Sequence, residues 1–443
     1  MTDMTQFLTD RQTVEDLNLT GRFKRGSVIN IFDRTGTRYG RQRLEAMFRT
    51  PLTEASEINR RAEIFGWFRS HPVNVRLTEE DVESVEFYMG FHPSSGLAGS
   101  AIDIFNARIR HLFLADRTWD KLTEGIRTLS RVLVSASELL ESLPAEENPI
   151  TDRINAFRSA FPAELISELK KTGGLERLKY RQVLDLDRKL RARRRCQVND
   201  LMSLLYDIDV WQSVASVAEE KGFCAAEAVE SADSFVDIRD VRHPALARAV
   251  ANDVRIDSSS NVLFLTGVNM AGKSTLMKAV SIAVYLAQMG LPVPASSMRF
   301  TPLDGIYTSI NVPDNIAKGY SHFYAEVLRV KSIAEKVREG NRLFIIFDEL
   351  FKGTNVKDAY DATLSVTQAF AGHRNCLYII STHIVEVAGD LGKICENVQF
   401  RCLPSEMDGA RLVYRYKLRD GISADRHGMT IIRNEHILDI IKG

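Results

Sequence analysis

The sequence has few cysteines, no excess of charge and no long apolar run. Its cysteines are odd in number and lack metal-ligand spacing: Cys196, Cys224, Cys376, Cys395 and Cys402. This favours reduced thiols in a cytoplasmic protein over a disulfide framework or a zinc site. Since no signal peptide or apolar run of membrane-spanning length is evident, we expect neither secretion nor a membrane partner. The 58 basic and 58 acidic residues cancel, so any contact with nucleic acid requires a local basic patch.

Composition and periodicity predict a multidomain protein with two kinds of fold. A chain of 443 residues, 44% of them hydrophobic, can form two or three domains. From about residue 35 to residue 222 the sequence is rich in Leu, Ala, Glu and Arg, and one helical face carries Leu201, Leu204, Leu205, Ile208, Trp211, Ala215 and Ala218. From about residue 232, short β-rich runs alternate with helical segments, as in a parallel α/β sheet. We therefore predict an all-α domain over residues 1–228 and an α/β domain over residues 229–443.

The most informative segment is GVNMAGKST at residues 267–275. It follows a short apolar run typical of a buried strand and precedes an apolar helical segment, which is the context of a phosphate-binding loop. Its glycines allow backbone N–H groups to surround phosphates at a helix N-terminus. Lys273 is expected to reach the terminal phosphates, and the Ser274 hydroxyl to bind Mg²⁺. We assign nucleotide binding to Gly267, Asn269, Met270, Ala271, Gly272, Lys273, Ser274 and Thr275.

Two further apolar runs end in polar residues that complete a hydrolysis site. Residues 342–347 are followed by Asp348 and Glu349, as expected where a buried parallel strand ends beside a nucleotide. Asp348 would hold Mg²⁺, and Glu349 would act on the attacking water as a general base or orienting acceptor. The run at residues 376–380 precedes His383, which is expected to contact the water or the terminal phosphate. The pattern predicts catalytic roles for Glu349 and His383.

These segments together resemble the MutS family of DNA mismatch-repair ATPases, which is related to ABC ATPases. The resemblance is carried by TGVNMAGKST at residues 266–275, RHP at 242–244, DELFKGT at 348–354, STH at 381–383 and the segments 314–326 and 421–428. It implies a P-loop NTPase fold of the ABC-ATPase type, with ATP and Mg²⁺ as cofactors. It also implies a homodimer, in which Ser321 of one subunit completes the nucleotide site of the other.

The N-terminal half resembles the same family less closely. Residues 10–17, 32–44, 51–61 and 208–215 are similar to its helical core, or lever. Because this similarity begins close to Met1, we expect a form reduced to core and ATPase, without the mismatch-reading and connector domains. The mismatch-reading Phe-x-Glu motif has no counterpart here. Ala249 stands where the family usually has an aromatic residue stacked on adenine, so base stacking must come from another residue or be weak.

A run of basic residues lies in the helical region. Residues 188–195 contain six Arg or Lys in eight positions, and Leu186 and Leu190 leave one apolar stripe. Phosphate contact with duplex DNA would make binding salt-dependent. A solvated helix face balanced by acidic residues explains the run equally well. The sequence leaves both interpretations open.

The function favoured by these features is an ATP-dependent DNA-binding protein of the MutS type. Binding and hydrolysis of Mg-ATP would drive conformational gating on double-stranded DNA, in mismatch repair or a related pathway. The expected partners are duplex DNA, a second copy of the chain and other DNA-repair proteins. Two alternatives remain: a nucleotide-gated scaffold that recruits other proteins, and a relative that binds recombination junctions without recognising mismatches.

Overall fold

The computed structural model describes residues 6–21, 26–91, 96–114, 116–175, 177–310, 322–408, 411–423 and 440–441. Contacts divide the chain into two compact units. One comprises Met1–Phe32, Met47–Ala62 and Val217–Gly443, and the other comprises Asp33–Ala46 and Glu63–Ser216. These units are called the sheet unit and the helical unit below. They divide the chain differently from the cut between residues 228 and 229, which remains a proposal.

Helices occupy most of the described residues before position 222. They are α1 (Arg11–Asp16), α2 (Val28–Phe32), α3 (Arg38–Arg49), α4 (Ala55–Ser70), α5 (Glu79–Gly90), α6 (Gly96–Leu114), α7 (Thr118–Ser142), α8 (Thr151–Ala160), α9 (Ala163–Gly173), α10 (Tyr180–Asp187) and α11 (Arg193–Lys221). The residues predicted to share one face of α11 are all buried, which confirms the helical period of that segment. No helix in the described part of the chain is long and apolar enough to cross a membrane.

A π-helical turn, Arg188–Ala192, joins α10 to α11 at the basic run. Arg191 is buried there and forms an ion pair with Asp187, with Nε and Oδ1 2.8 Å apart. Tyr88 of α5 donates from its hydroxyl to the same carboxylate at 3.1 Å, and burial raises the pKa of Tyr88 far above its ordinary value. A phosphate contact from Arg191 is therefore wrong, because its guanidinium is used inside the helical unit. Leu186 and Leu190 are buried as predicted.

The sheet unit contains every strand among the described residues. They are β1 (Ala226–Ala228), β2 (Phe235–Val241), β3 (Asn252–Asp257), β4 (Val262–Thr266), β5 (Ser297–Phe300), β6 (Gly305–Ser309), β7 (Leu343–Phe347), β8 (Leu377–Ser381), β9 (Val398–Cys402), β10 (Ser405–Asp408), β11 (Arg411–Tyr414) and β12 (Arg419–Asp420). Four further helices lie between them: α12 (Lys273–Gln288), α13 (His322–Arg338), α14 (Val356–Ala371) and α15 (Val385–Ile394).

The strands form a six-stranded sheet, a four-stranded sheet and a hairpin. The six-stranded sheet has the order β12-β9-β4-β8-β7-β6, and only β12 runs antiparallel to its neighbour. The four-stranded sheet has the order β1-β5-β2-β3, and β10 pairs with β11. Strands β4, β7 and β8 are buried along their whole length, as predicted for apolar runs inside a parallel sheet. The prediction of a helical part and an α/β part is confirmed.

Parallel order brings the ends of the central strands to one edge of the sheet. In register, Leu265 of β4 pairs with Ser381 of β8, and Ile380 of β8 pairs with Phe347 of β7. The segments that leave β4, β7 and β8 therefore begin side by side. In open parallel sheets this carboxyl edge is the usual position of a ligand site.

Candidate active site

The loop between β4 and α12 depends on two glycines with left-handed backbone. Gly267 has φ 146°, and a side chain there would place its Cβ 2.9 Å from the Leu403 carbonyl oxygen. Gly272 has φ 97° and is the N-cap of α12. Because a Cβ is unfavourable at both positions, glycine is required to close this turn against the helix N-terminus. The helix therefore presents its first N–H groups to the loop.

Lys273 is the first residue of α12 and points back into its own loop. Its Nζ donates to the carbonyl oxygens of Gly267 at 2.7 Å and Val268 at 3.3 Å. Burial lowers the pKa of Lys273, against the opposing effect of the Glu349 and Asp348 carboxylates. The ammonium group thus lies in a low-dielectric turn where an anion would strengthen its interactions.

The acid pair follows β7, and Asp348 links two of the central strands to the loop. One carboxylate oxygen accepts from the Ser274 hydroxyl at 2.5 Å, and the other accepts from the Ser381 hydroxyl at 2.6 Å. The Asp348 N–H donates to the Ser309 carbonyl at 2.9 Å. The predicted neighbours Ser274 and Asp348 are thus in direct contact. No role was predicted for Ser381, although it lies in the same STH segment as His383.

Glu349 and His383 form a second contact at this edge. The Nε2 atom of His383 hydrogen-bonds the Glu349 carboxylate, and the Glu349 N–H donates to the Ser381 carbonyl and hydroxyl, each at 3.1 Å. The hydrogen bond from His383 is the main cause that lowers the pKa of Glu349; burial opposes it and Lys273 adds to it. Glu349 is therefore held as a carboxylate beside a histidine, as required of a group that accepts a proton or orients water.

A cavity of about 420 Å³ opens beside the loop. Of the predicted site residues, it is lined by Asn269, Met270, Gly272, Lys273, Ser274, Thr275 and Glu349. Its volume falls within the range typical of small-molecule sites. Gly267, Ala271, Asp348 and His383 do not line it, although the contacts above connect all of them except Ala271 to residues that do.

The far part of the cavity contains residues that were not assigned from the sequence. His243 and Ala249 line it together with Tyr416. Tyr416 has φ 54°, and its carbonyl oxygen accepts from the Asn252 amide at 3.0 Å. The sequence placed Tyr416 inside a strand over residues 411–418, whereas β11 ends at Tyr414. Only the absence of an aromatic residue at position 249 signalled that another ring was needed.

Ser321 lies outside the described residues, so its predicted contact with a second subunit remains a prediction. The oxygen donors fit a magnesium ion, since Ser274 Oγ and the Asp348 carboxylate are the hard ligands that Mg²⁺ prefers. In the described part of the chain, no group of three or more His, Cys, Asp or Glu residues is arranged to hold a metal by itself. A magnesium ion here would therefore need further oxygen ligands from phosphate and water.

The other residues of the basic run differ in environment from Arg191. Lys189 lies 2.6 Å from both the Glu168 and Asp185 carboxylates. Arg194 donates to the Ala160 carbonyl at 2.7 Å. Arg188 and Arg193 are exposed, and Arg195 is partly exposed. The run therefore has a structural part and an exposed part, and only the exposed part is suited to phosphate contact.

Comparison with known proteins gives matches that are strongest in the sheet unit. Residues 263–441 match the family model described as MutS domain V. A protein from Brevibacillus brevis named DNA mismatch repair protein MutS is 31% identical over 53% of this chain and 28% of its own length. Proteins of the same name from Desulfovibrio desulfuricans and Nitratidesulfovibrio vulgaris are 31% and 28% identical, over 61% and 78% of this chain.

The chain spans only part of these relatives, namely 28%, 29% and 39% of their lengths. The match over residues 263–441 includes the phosphate-loop, acid-pair and histidine segments that carried the resemblance in the sequence. The resemblance of this chain to the MutS family is confirmed, and its residues 263–441 are a MutS domain V.

Proposed function

We propose that this protein binds and hydrolyses Mg-ATP at the candidate active site and couples both steps to conformational gating on duplex DNA. The pathway would be DNA mismatch repair or a related DNA-processing pathway. The observation that carries the proposal is the pair of contacts Ser274–Asp348 and Glu349–His383, which lie together at the edge of one parallel sheet. The relatives named DNA mismatch repair protein MutS support the pathway.

The loop residues would bind the phosphates of ATP. In this proposal Lys273 Nζ leaves the carbonyl oxygens of its own loop and donates to the terminal phosphates, assisted by the N–H groups at the start of α12. Tyr416 would contact the adenine ring in the far part of the cavity, replacing the aromatic residue absent at position 249. The proposed nucleotide-binding set remains residues 267 and 269–275, with Ser321 from a second subunit.

Ser274 and Asp348 would hold Mg²⁺, which when bound neutralises phosphate charge during transfer to water. Glu349 would orient the attacking water and accept its proton. His383 would exchange its hydrogen bond with Glu349 for a contact with the water or the terminal phosphate. The presence of ATP would thus release Glu349 from His383 and be reported to the segment that follows β8.

DNA binding would use the exposed part of the basic run, with a homodimer surrounding or clasping the duplex. Two alternatives belong to other classes: a nucleotide-gated scaffold without its own DNA affinity, and a protein that binds recombination junctions. The geometry of Lys273, Asp348 and Glu349 favours turnover over a scaffold that only binds nucleotide. Other DNA-repair proteins would be partners in each case.

The decisive experiment measures binding to homoduplex, mismatched and four-way DNA at several salt concentrations, with and without ATP. We expect salt-dependent duplex binding that ATP changes in the wild type but not in Lys273→Ala. No binding to any DNA at low salt would support the scaffold. A strong preference for four-way DNA would support the junction-binding alternative.

A further inference from the structure

The first described residues of the chain extend the edge of the six-stranded sheet. The Leu8 N–H donates to the Asp304 carbonyl at 2.7 Å, and the Ile306 N–H donates to the Leu8 carbonyl at 2.9 Å. A Cβ at Gly305 would lie 2.4 Å from the Leu8 carbonyl oxygen, so this close approach needs glycine. Residues that resemble the start of a helical core thus act here as an added edge of the sheet beside β6.

Helix α1 places two polar side chains on the end of β6. One carboxylate oxygen of Asp16 accepts from the Thr308 hydroxyl at 2.8 Å and from the Ile310 N–H at 3.0 Å. The Thr13 hydroxyl accepts from the Thr308 N–H at 3.0 Å. Asp16, Thr13 and Thr308 are all buried. Buried hydrogen bonds of this kind hold one backbone arrangement, since each broken bond leaves a polar group without water.

Arg329 of α13 holds the same strand end from another side. Its guanidinium donates to the Thr308 carbonyl at 2.6 Å from Nη2 and 3.1 Å from Nε. It also forms an ion pair with Asp10, the N-cap of α1. Burial raises the pKa of Asp10, but hydrogen bonds from Arg329 and Thr13 outweigh it and leave that pKa below its ordinary value. The end of β6 is thus fixed by α1 and α13 together.

The residue between these contacts is the one that holds Asp348. Ser309 lies between Thr308 and Ile310, and its carbonyl accepts the Asp348 N–H at 2.9 Å. Asp348 then binds Ser274 through its side chain. A continuous series of contacts therefore runs from Asp16, through the end of β6, to the carboxylate at the candidate metal position.

We propose that Asp16 and Thr13 are positioning residues for Asp348, so that α1 sets the geometry of the Mg²⁺ site from outside it. This inference rests on the proposed function, in which Asp348 holds Mg²⁺. Groups that orient a metal ligand typically change metal affinity or activity by about 10–100-fold when removed. Asp16 and Thr13 touch neither nucleotide nor metal in this arrangement, and they act through the backbone of β6.

The first test follows amide hydrogen exchange at the end of β7. Asp16→Ala removes the acceptor for Thr308 and Ile310, and exchange of the Asp348 N–H should accelerate about tenfold or more. Asp16→Asn keeps a side-chain oxygen and should remain close to the wild type. Glu15→Ala is the matched control on the same helix, because Glu15 pairs with Arg11 at the surface. Unchanged exchange at Asp348 in folded Asp16→Ala protein would overturn the proposal.

The second test measures the Mg²⁺ concentration that gives half-maximal ATP hydrolysis. Asp16→Ala should raise it about tenfold, while nucleotide binding measured in EDTA stays within about twofold of the wild type. Should Asp16→Ala fail to fold, Thr13→Val provides the same test with Thr13→Ser as its control, because only serine keeps the hydroxyl acceptor. Faster exchange with an unchanged Mg²⁺ requirement would refute positioning of the metal site. Wild-type protein without any Mg²⁺-dependent hydrolysis would instead refute the proposed function, and the exchange result would still decide the contact series.

Discussion

At the scale of residues, the candidate active site contains side chains held on unusual backbone. Met270, Glu349 and Phe351 are not glycine, yet they have φ values of 67°, 58° and 63°. Such conformations cost about 1–3 kcal/mol each and persist only where surrounding contacts hold them. At Glu349 those contacts are visible, since its N–H is bound twice by Ser381 and its carboxylate by His383. The conformation directs the carboxylate toward the loop that carries Lys273.

Glu349→Gln tests the proposed general base. The amide has the same shape and can still accept from His383, but it cannot take a proton from water. Turnover of ATP should fall by about 10²–10⁴-fold, while the ATP dissociation constant changes little. Steady-state hydrolysis and equilibrium binding of ATP measure the two effects separately. Hydrolysis at the wild-type rate in the purified variant would remove Glu349 from the mechanism.

Lys273→Ala tests phosphate binding by the loop. The variant loses charge-assisted hydrogen bonds worth about 1.5–3 kcal/mol, so ATP should bind about 10–150-fold more weakly. Titration of ATP in EDTA isolates this loss from any effect on Mg²⁺. Lys278→Ala, in the same helix, is a suitable control because Lys278 does not line the cavity. Equal ATP affinity in Lys273→Ala and the wild type would contradict the assignment.

At the scale of elements, local sequence patterns predicted the strands and helices around the site. The apolar runs before residues 267, 348 and 381 became β4, β7 and β8, because only a parallel sheet buries such runs on both faces. The loop and α12 followed from the glycine spacing. The contact between Ser274 and Asp348 was expected from motif order, since neighbouring parallel strands end at the same edge.

The features that were not predicted depend on contacts distant in sequence. The burial of Arg191 requires Asp187 on the preceding turn and Tyr88 about one hundred residues away, which a charge count cannot reveal. Tyr416 reaches the cavity only because the chain leaves β11 early. The attachment of Leu8 to β6 joins segments about three hundred residues apart. Periodicity and motif spacing contain no information on such pairings.

The π-helical turn separates the two interpretations of the basic run. Arg191→Gln leaves Asp187 buried without its partner and should lower the free energy of unfolding by about 3–5 kcal/mol. Arg193→Gln, at an exposed position, should change it by less than about 0.5 kcal/mol. For DNA binding, replacing exposed Arg188 and Arg193 by Gln should reduce the salt slope by about one unit for each phosphate contact. Denaturant unfolding and salt titrations measure both, and a stable Arg191→Gln variant with a reduced slope would reverse the assignment.

At the scale of the whole molecule, the ligand of the proposed DNA-binding protein follows from which contacts it can make. Phosphate contacts position a protein on DNA, whereas base contacts distinguish sequences and mispairs. The exposed arginines of the basic run supply the first kind. We therefore expect binding that is mainly electrostatic and falls steeply with salt.

Mispair discrimination measures this expectation directly. Purified protein should prefer a mismatched duplex over its matched homoduplex by about 1 kcal/mol or less, because base-specific readout typically contributes ~1–3 kcal/mol per position. Competition between duplexes that differ at one base pair, at constant salt, gives the difference. Tight and mismatch-selective binding would show that the chain contains a reading element that its motifs do not reveal.

Assembly in pairs is expected because the segment containing Ser321 resembles one that completes the site of a second subunit. A mixture of Ser321→Ala and Lys273→Ala chains would form dimers in which one site carries both defects and the other carries neither. Random mixing makes half of the dimers mixed, so turnover per chain should recover to about a quarter of the wild-type value, although each variant alone is inactive. ATP should also raise the mass measured by light scattering, since a ligand that binds across the interface stabilises the dimer. A monomer at every ATP concentration, with turnover independent of protein concentration and no recovery on mixing, would exclude the shared site.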